Sequence, residues 1–525
     1  MIRIRPRVEI DFGAGWVDVS GDVVSDVKAE WGIHGGGPKD RVADPGTMGF
    51  ELDNSVSNSA GLRGYYSPGH ADVRAGFGLG ILARLVLNHA LYGDRVKWVG
   101  TIEGLSPVPG IKSPRTSVRC VDWMDEAARA KLAGLAVETD IQSDALFAIL
   151  AAAVETQPPG GILSGSGSDI YPFALDNTQD ESSRVLGELQ QLAMSEYGLI
   201  YVSAGMLVFE GRRRRGGGGA VRFAMDEDEE ILAMPISHNR DDIVNRVQVA
   251  IHPRRRDAAA TTVLFNLGSA IRIERNTSVT INCQYRDPNQ QAQRVGGVDM
   301  VTPVATTDYK LNSAADGSGA DLTAQLVVTP AFGGNSAEVT LANNGPADGY
   351  VWFLQLRGRG LYDFEPVLSD RTDAVSAAAY GQTVFGYDMP YQSSPSNAID
   401  LAQFLLSLNK DPRTRVQSVR FLANWSDAVA EQAFNLEISD KVSINAPTLG
   451  LAAQPFFVNG VTMQVRKSGL VLVTWDLCPV DTSQFWLLQV AGRSELDETT
   501  VLGYGLFVPG WILGTSELGV TTFLN

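Results

Sequence analysis

Apolar and polar residues alternate with a period of two through short runs along much of the chain, and turn residues end each run. Val8-Glu9-Ile10-Asp11-Phe12 gives way to Gly13-Ala14-Gly15 and then to Trp16-Val17-Asp18-Val19. Alternation of this kind puts successive side chains on opposite faces of a strand, so each run predicts a strand with one face buried. Further runs stand at 49–52, 83–87, 96–99 and 117–121. Many short strands joined by Gly and Asn-Asp turns predict an antiparallel barrel or sandwich, in which closure removes exposed strand edges.

With 525 residues the chain exceeds what one core supports, and about three or four domains are expected. Hydrophobic residues make up 44% and charged residues 20%, an ordinary globular balance. Lys plus Arg number 43 against 60 Asp plus Glu, a net charge of −17. Phosphate contacts need clustered cations, so this balance argues against a general nucleic-acid-binding surface; it suits solubility, or a conduit that DNA crosses without sticking. The three cysteines, Cys120, Cys283 and Cys478, are far apart and form no C-x-x-C pair, which points to neither a zinc site nor a disulfide framework. The basic start at residues 2–7 lacks an apolar stretch behind it, and Arg84, Asn88 and His89 interrupt the most apolar segment, 77–93. Neither a secretion signal nor a membrane span is expected, and the chain should be made as a soluble protein.

The patterning changes along the chain and sets provisional boundaries. Residues 1–122 read as a first β-barrel. Residues 123–235 read as an α/β insert: Met124, Ala127, Ala128, Leu132 and Leu135 recur at helical spacing, Ser143-Asp144 predicts an N-cap, and 180–197 predicts a helix stopped by Gly198. A hairpin should follow around Ser203-Ala204-Gly205. Residues 236–287 and 364–481 read as a second barrel, with Ile243-Val244-Asn245-Arg246-Val247-Gln248-Val249 as its clearest strand, a helix from Ser396-Asn397 to Leu408, and later strands at 416–422, 436–444, 456–458 and 470–475. Residues 288–363 read as an inserted small β-sandwich, and 482–525 as a C-terminal extension. The fold class is thus α+β, mostly β.

No motif of catalytic strength occurs. There is no nucleophile elbow, no H-E-x-x-H, no P-loop and no full G-x-G-x-x-G. His34, His70, His89, His238 and His252 are scattered and read as surface or satisfied core residues. A glycosidase would need two acids flanking a sugar, and sixty acids supply chance candidates such as Asp176, Asp180 and Glu181. The acidic run 226–230 lacks the ligand spacing of a calcium loop and reads as a solvated turn. No catalytic residue, cofactor or metal is assigned. The most biased segment is 211–219, G-R-R-R-R-G-G-G-G. Its glycines predict mobility, and Arg212, Arg213, Arg214 and Arg215 read first as a solvated loop and second as a contact for DNA or an acidic partner. Tyr350, Trp352 and Tyr362 could stack on sugars in a carbohydrate-binding module, though aromatics mainly supply core area.

An ordered series of short motifs resembles a known family. Trp16-Val17-Asp18-Val19-Ser20-Gly21-Asp22-Val23, Pro45-Gly46-Thr47-Met48-Gly49-Phe50-Glu51-Leu52-Asp53-Asn54, Tyr66-Ser67-Pro68-Gly69, Val73-Arg74 and Trp98-Val99-Gly100-Thr101-Ile102 resemble the opening domain of minor tail proteins, the tail-tip or baseplate hub proteins of phages with long non-contractile tails. Asp242-Ile243-Val244-Asn245-Arg246-Val247, Leu436-Glu437-Ile438-Ser439-Asp440-Lys441-Val442, Phe457-Val458-Asn459-Gly460-Val461 and Phe485-Trp486-Leu487 resemble later strands and the C-terminal segment of such hubs. The resemblance spans roughly half the chain; the arginine run and 288–363 have no counterpart in it. It implies a homotrimer whose two barrels per chain form a ring of pseudo-sixfold symmetry at the virion tail tip. The implied partners are a distal tail or tail tube protein above, the tape measure protein C-terminus within, and a central fibre or spike protein below, with the DNA channel closed until ejection. The alternatives are a tail-associated polysaccharide or peptidoglycan hydrolase, and a carbohydrate-binding receptor module.

Overall fold

The computed structural model describes residues 2–110, 113–132, 134–176, 183–216, 220–412 and 414–480. Strands dominate, and thirteen of them form one sheet. The early chain contributes β1 (Arg5–Asp11), β2 (Trp16–Asp18), β3 (Val27–Gly32), β4 (Thr47–Asp53), β5 (Leu82–His89), β6 (Gly93–Val108) and β7 (Arg115–Val121). The late chain adds β8 (Phe223–Asp226), β9 (Ile231–Ala233), β10 (Ser418–Leu422), β11 (Lys441–Ala446), β12 (Leu451–Val465) and β13 (Val471–Pro479). The order is β9-β10-β13-β12-β3-β4-β7-β6-β5-β1-β2, with β11 beside β12 and β8 beside β11.

One arrangement occurs twice within that order. The strands β3-β4-β7-β6-β5 and β9-β10-β13-β12-β11 follow the same connections, and every neighbouring pair is antiparallel. Each set contains one long strand, of 16 residues in β6 and 15 in β12. Each long strand carries a bulge against its following neighbour, between Ile102 and Gly104 in β6 and between Val458 and Gly460 in β12. A bulge bends a strand and increases its twist.

The two sets join edge to edge. β11 pairs β12 only over Leu451 to Phe457, and β3 takes the vacated edge beyond, from Gly32 opposite Gly460 to Val27 opposite Val465. Gly32 sits at φ +91, where a Cβ would meet Asn459 O at 2.8 Å, so glycine is needed at this corner. One core runs under both sets, including Trp31, Phe50, Leu85 and Trp98 from the first and Val419, Phe421 and Trp475 from the second, with Phe434 of the helix Asp427–Asn435. The Phe421 and Trp475 rings meet edge to face at 4.5 Å.

A second core holds the helical region. Here α1 (Trp123–Arg129), α2 (Ser143–Ala152) and α3 (Val185–Glu196) pack with the hairpin Leu199–Ser203 and Met206–Glu210. The hairpin turns through Ala204 and Gly205, both at positive φ, as a tight turn requires. Two helix ends differ from expectation. Ser143 does not cap α2: its hydroxyl donates to Glu196, and Gln142 holds the cap position without a side-chain bond. α3 ends on Tyr197 in the left-handed region, with Gly198 N donating to Ala193 O.

Three further departures concern the later chain. Arg246–Ile251, expected in the second barrel, forms a separate three-stranded sheet with Val367–Thr372 and, in parallel, Val384–Met389. The reason is α4 (Pro395–Asn409), whose Leu401 and Leu405 cover the apolar face made by Val247, Val249 and Ile251. The inserted β-structure begins before residue 288, because Leu264, Ile273 and Cys283 belong to its core. Its long strand Gly349–Asp363 pairs with Arg254–Arg256, Thr262–Asn266, Ile271–Ile273, Gly296–Val301 and Tyr309–Asn312. Finally, α5 (Asp427–Asn435), capped by Ser426 Oγ accepting from Val429 N, precedes β11, which starts at Lys441 and not at 436. Residues 482–525, including Phe485-Trp486-Leu487, lie outside the described residues.

Candidate functional site

The arginine run leaves the hairpin strand Met206–Glu210 through Gly211, where a Cβ would stand 2.4 Å from Ser166 O. Glycine lets the chain pass close to residue 166, and the next side chain enters the protein. Arg212 has a side chain only 1% exposed, ion-paired to Asp169 and bonded through Nη1 to Glu196 O at 3.4 Å. Ser143 Oγ, Ser168 N and Asp169 N donate to the Glu196 carboxylate at 2.9, 3.0 and 3.2 Å. Gln392 and Asn397 donate to Asp169. Burial, with the nearby Asp169 charge, raises the Glu196 carboxyl above its usual range, against the opposing pull of Arg212. The cluster binds α2 and α3 to the segment leading into α4.

Arg213 opens a four-residue helical turn, Arg213–Gly216. Arg214 Nε lies 3.5 Å from Glu210 Oε1. Arg215 turns back into the second strand set, with Nε donating to Ser439 Oγ at 3.0 Å, Nη1 to Asn459 Oδ1 at 2.6 Å, and its guanidinium 5.0 Å from the centre of the Phe457 ring. Burial lowers its pKa. The expected mobile basic loop is therefore two anchors, Arg212 and Arg215, flanking two exposed cations, Arg213 and Arg214. Removing one side of the buried Arg212–Asp169 pair would leave an uncompensated charge, whereas Arg215 is held by the neutral oxygens of Ser439 and Asn459. Only Arg213 and Arg214 face outward to meet a partner.

A cleft of about 520 Å³ lies beside this joint, between the 33–46 segment, the end of β13 and the end of α4. Most of its charged groups have partners within the chain. His34 Nδ1 lies 2.6 Å from Asp476 Oδ2, Arg415 Nε lies 3.8 Å from Asp242, and the Arg41 guanidinium stacks 3.7 Å over Tyr197. Burial pulls the His34 imidazolium down, while the bond to Asp476 and the charges of Asp476, Glu30 and Asp44 more than offset that, for a net rise.

The remaining candidates are dispersed. His89 is buried and stacked on Tyr92, and His252 bonds Asp388 at 2.6 Å. Asp176 is buried against Arg254, and Asp180 and Glu181 lie outside the described residues. In the acidic run Asp226 N donates to Glu230 and Asn445 donates to Asp226, a self-bonded turn. Trp352 is 37% exposed with Gly317 packed against it, whereas Tyr362 donates to Asp257 at 3.0 Å. Among the described residues no group of three or more His, Cys, Asp or Glu is placed to hold a metal ion, and no helix is long and apolar enough to cross a membrane.

No family model matches the sequence, and no curated protein matches it. Among solved structures, the chain is similar to the 43 kDa tail protein of prophage MuSo2 from Shewanella oneidensis, with a TM-score of 0.48 at 10% identity over 90% of this chain and 98% of that one. It is similar to a tail protein from Neisseria meningitidis MC58, with a TM-score of 0.48 at 9% identity over 90% and 96%. The prophage tail protein gp18 from Listeria monocytogenes EGD-e gives a TM-score of 0.39 at 9% identity over 90% and 94%.

Proposed function

We propose that this chain is a structural virion protein of a phage tail, a hub at the distal end that assembles as a homotrimer, joins a sixfold tail tube to a threefold fibre or spike, and closes the DNA channel until ejection. The observation that carries this reading is the five-strand arrangement found twice in one sheet. A trimer of such chains presents six similar strand sets around an axis, so it can match six subunits on one side while keeping threefold symmetry on the other. The ordered motifs of the first 105 residues and of 242–461 support the same reading. A net charge of −17 suits a channel wall that must not retain DNA. The proposed neighbours are the tube or distal tail protein, the end of the tape measure protein and the fibre or spike; Arg213 and Arg214 are the cations of the run available to an acidic neighbour.

The test is the assembly state of the purified full chain, alone and with tube protein, by mass photometry and electron microscopy. Three-copy particles with a central opening are expected. Single copies under every condition, or turnover of peptidoglycan or host glycans by the purified chain, would overturn the reading.

A further inference from the structure

The junction made inside the chain is a template for one that is left open. In the first strand set the outer edge of β3 is covered by β12. In the second set the equivalent strand is β9, and among the described residues no strand lies on its outer edge. The long strands show the complementary gap. β12 receives β3 where β11 stops, beyond the bulge at Gly460. β6 outruns β5 in the same way: their pairing ends at Thr101, the last bonds on that side join Ile102 to Gly80 and Ile81, and among the described residues those after the bulge at Gly104 pair with β7 alone. Among the described residues, one chain thus carries one filled junction and the two unmatched halves of another.

We propose that the β9 edge of one copy pairs with residues 103–108 of β6 in a second copy of this chain, reproducing between copies the β3–β12 junction within each. This inference rests on the ring reading above and names the contact that would close the ring. A head-to-tail contact between unlike surfaces closes into a ring only when its rotation divides the circle and otherwise builds an open filament, so the ring reading requires each junction, inside and between chains, to turn the sheet by the same sixth of a circle. The side chains at both edges suit burial: Leu232 is 57% exposed, Ile236 just beyond β9 is 40% exposed, and Val108 is 46% exposed. The contact is short. β9 has three residues, and Pro107 has no N–H to offer a partner, as befits an edge guarded against chance pairing. Each copy also carries a net charge of −17, so association should strengthen as salt screens the repulsion.

The test is disulfide capture in a Cys478→Ser background, since Cys120 and Cys283 are buried. One preparation carries Leu232→Cys or Ile236→Cys, the other Ser106→Cys or Val108→Cys, and circular dichroism confirms the strand content of each. Mixed and oxidised at high salt, the two preparations are expected to give a cross-linked pair that neither gives alone. Three-copy particles in mass photometry without a cross-link from any of the four combinations would overturn this contact and leave the ring reading standing. Single copies at every salt and protein concentration would overturn both.

Discussion

Replacing Arg212 with Met tests whether the arginine run is structural or solvated. The substitution keeps the aliphatic stem and removes the charge. Because the Arg212 side chain is 1% exposed and the Asp169 side chain 6%, water cannot substitute for the lost partner. Asp169 and Glu196 would keep their neutral donors from Gln392, Asn397, Ser143 and the 168–169 backbone but would have no cation. Breaking a buried pair from one side costs about 3–5 kcal/mol, and each 1.36 kcal/mol is tenfold in an equilibrium. Local opening should therefore become roughly a hundredfold or more easier, read as faster amide exchange in peptides covering α2 and α3. A local probe is needed because a chain of several cores does not unfold in one step. The pH dependence supplies a second check. The Glu196 carboxyl is already raised by burial, and loss of Arg212 raises it further. Between the ordinary carboxylate value and this raised one the folded state binds more protons than the unfolded, so the stability of the variant rises as pH falls from neutral through that window. Exchange unchanged from wild type at neutral pH would show that the guanidinium is dispensable and refute the buried-anchor account.

Gly100→Ala should cost about 1–3 kcal/mol by overpacking, because its Cβ would stand 2.1 Å from Val121 O and 2.4 Å from the Trp98 ring, whereas Gly104→Ala meets nothing closer than 3.6 Å and serves as the control; equal amide-exchange protection of the β6–β7 peptides in the two would contradict the packing. His34 has a folded pKa raised above its ordinary value. Its contribution is therefore fully present below about pH 6.5 and lost as pH rises through the folded value. His34→Gln should flatten the pH dependence of amide-exchange protection in peptides covering β3 and β13 across this range, and an unchanged slope would assign that dependence elsewhere.

Much of the fold was legible because alternation has few causes. Met48, Phe50 and Leu52 of β4 obey a period of two, each buried between more exposed neighbours, and α1 to α3 follow a period of 3.6. The failures share one cause: a partner distant in sequence. Arg246–Ile251 alternates as a barrel strand would, and nothing within it reveals that Leu401 and Leu405 of α4 cover its apolar face. The arginine run looked solvated because charge runs usually are, while its carboxylates, Asp169 and Glu196, lie 43 and 16 residues away. Gly211 was the available signal. A glycine beside a charged run marks mobility or close approach, and the 2.4 Å clearance to Ser166 O decides for approach.

The family resemblance implies two similar barrels, yet no repeat in the sequence displays them, for a different reason. The two strand sets share connections, the long strand and the bulge, but few side chains: Val118 faces Leu105 across the first bulged pair and Trp475 faces Val461 across the second. Sheet geometry constrains which face a residue occupies far more than which apolar residue occupies it, so duplicated sets can diverge in sequence while preserving order. What cannot diverge freely is an edge. β3 pairs on both sides and carries Trp31 and Ala29 into the core against Val461 and Met463, whereas β9 is cut to three residues with Leu232 outward. A long buried edge commits a chain to a permanent internal junction, and a short exposed one keeps copies apart until concentration, salt or a neighbouring ring brings them together. Under the proposed assembly, the difference between these equivalent strands is what a subunit that folds alone and assembles later would need.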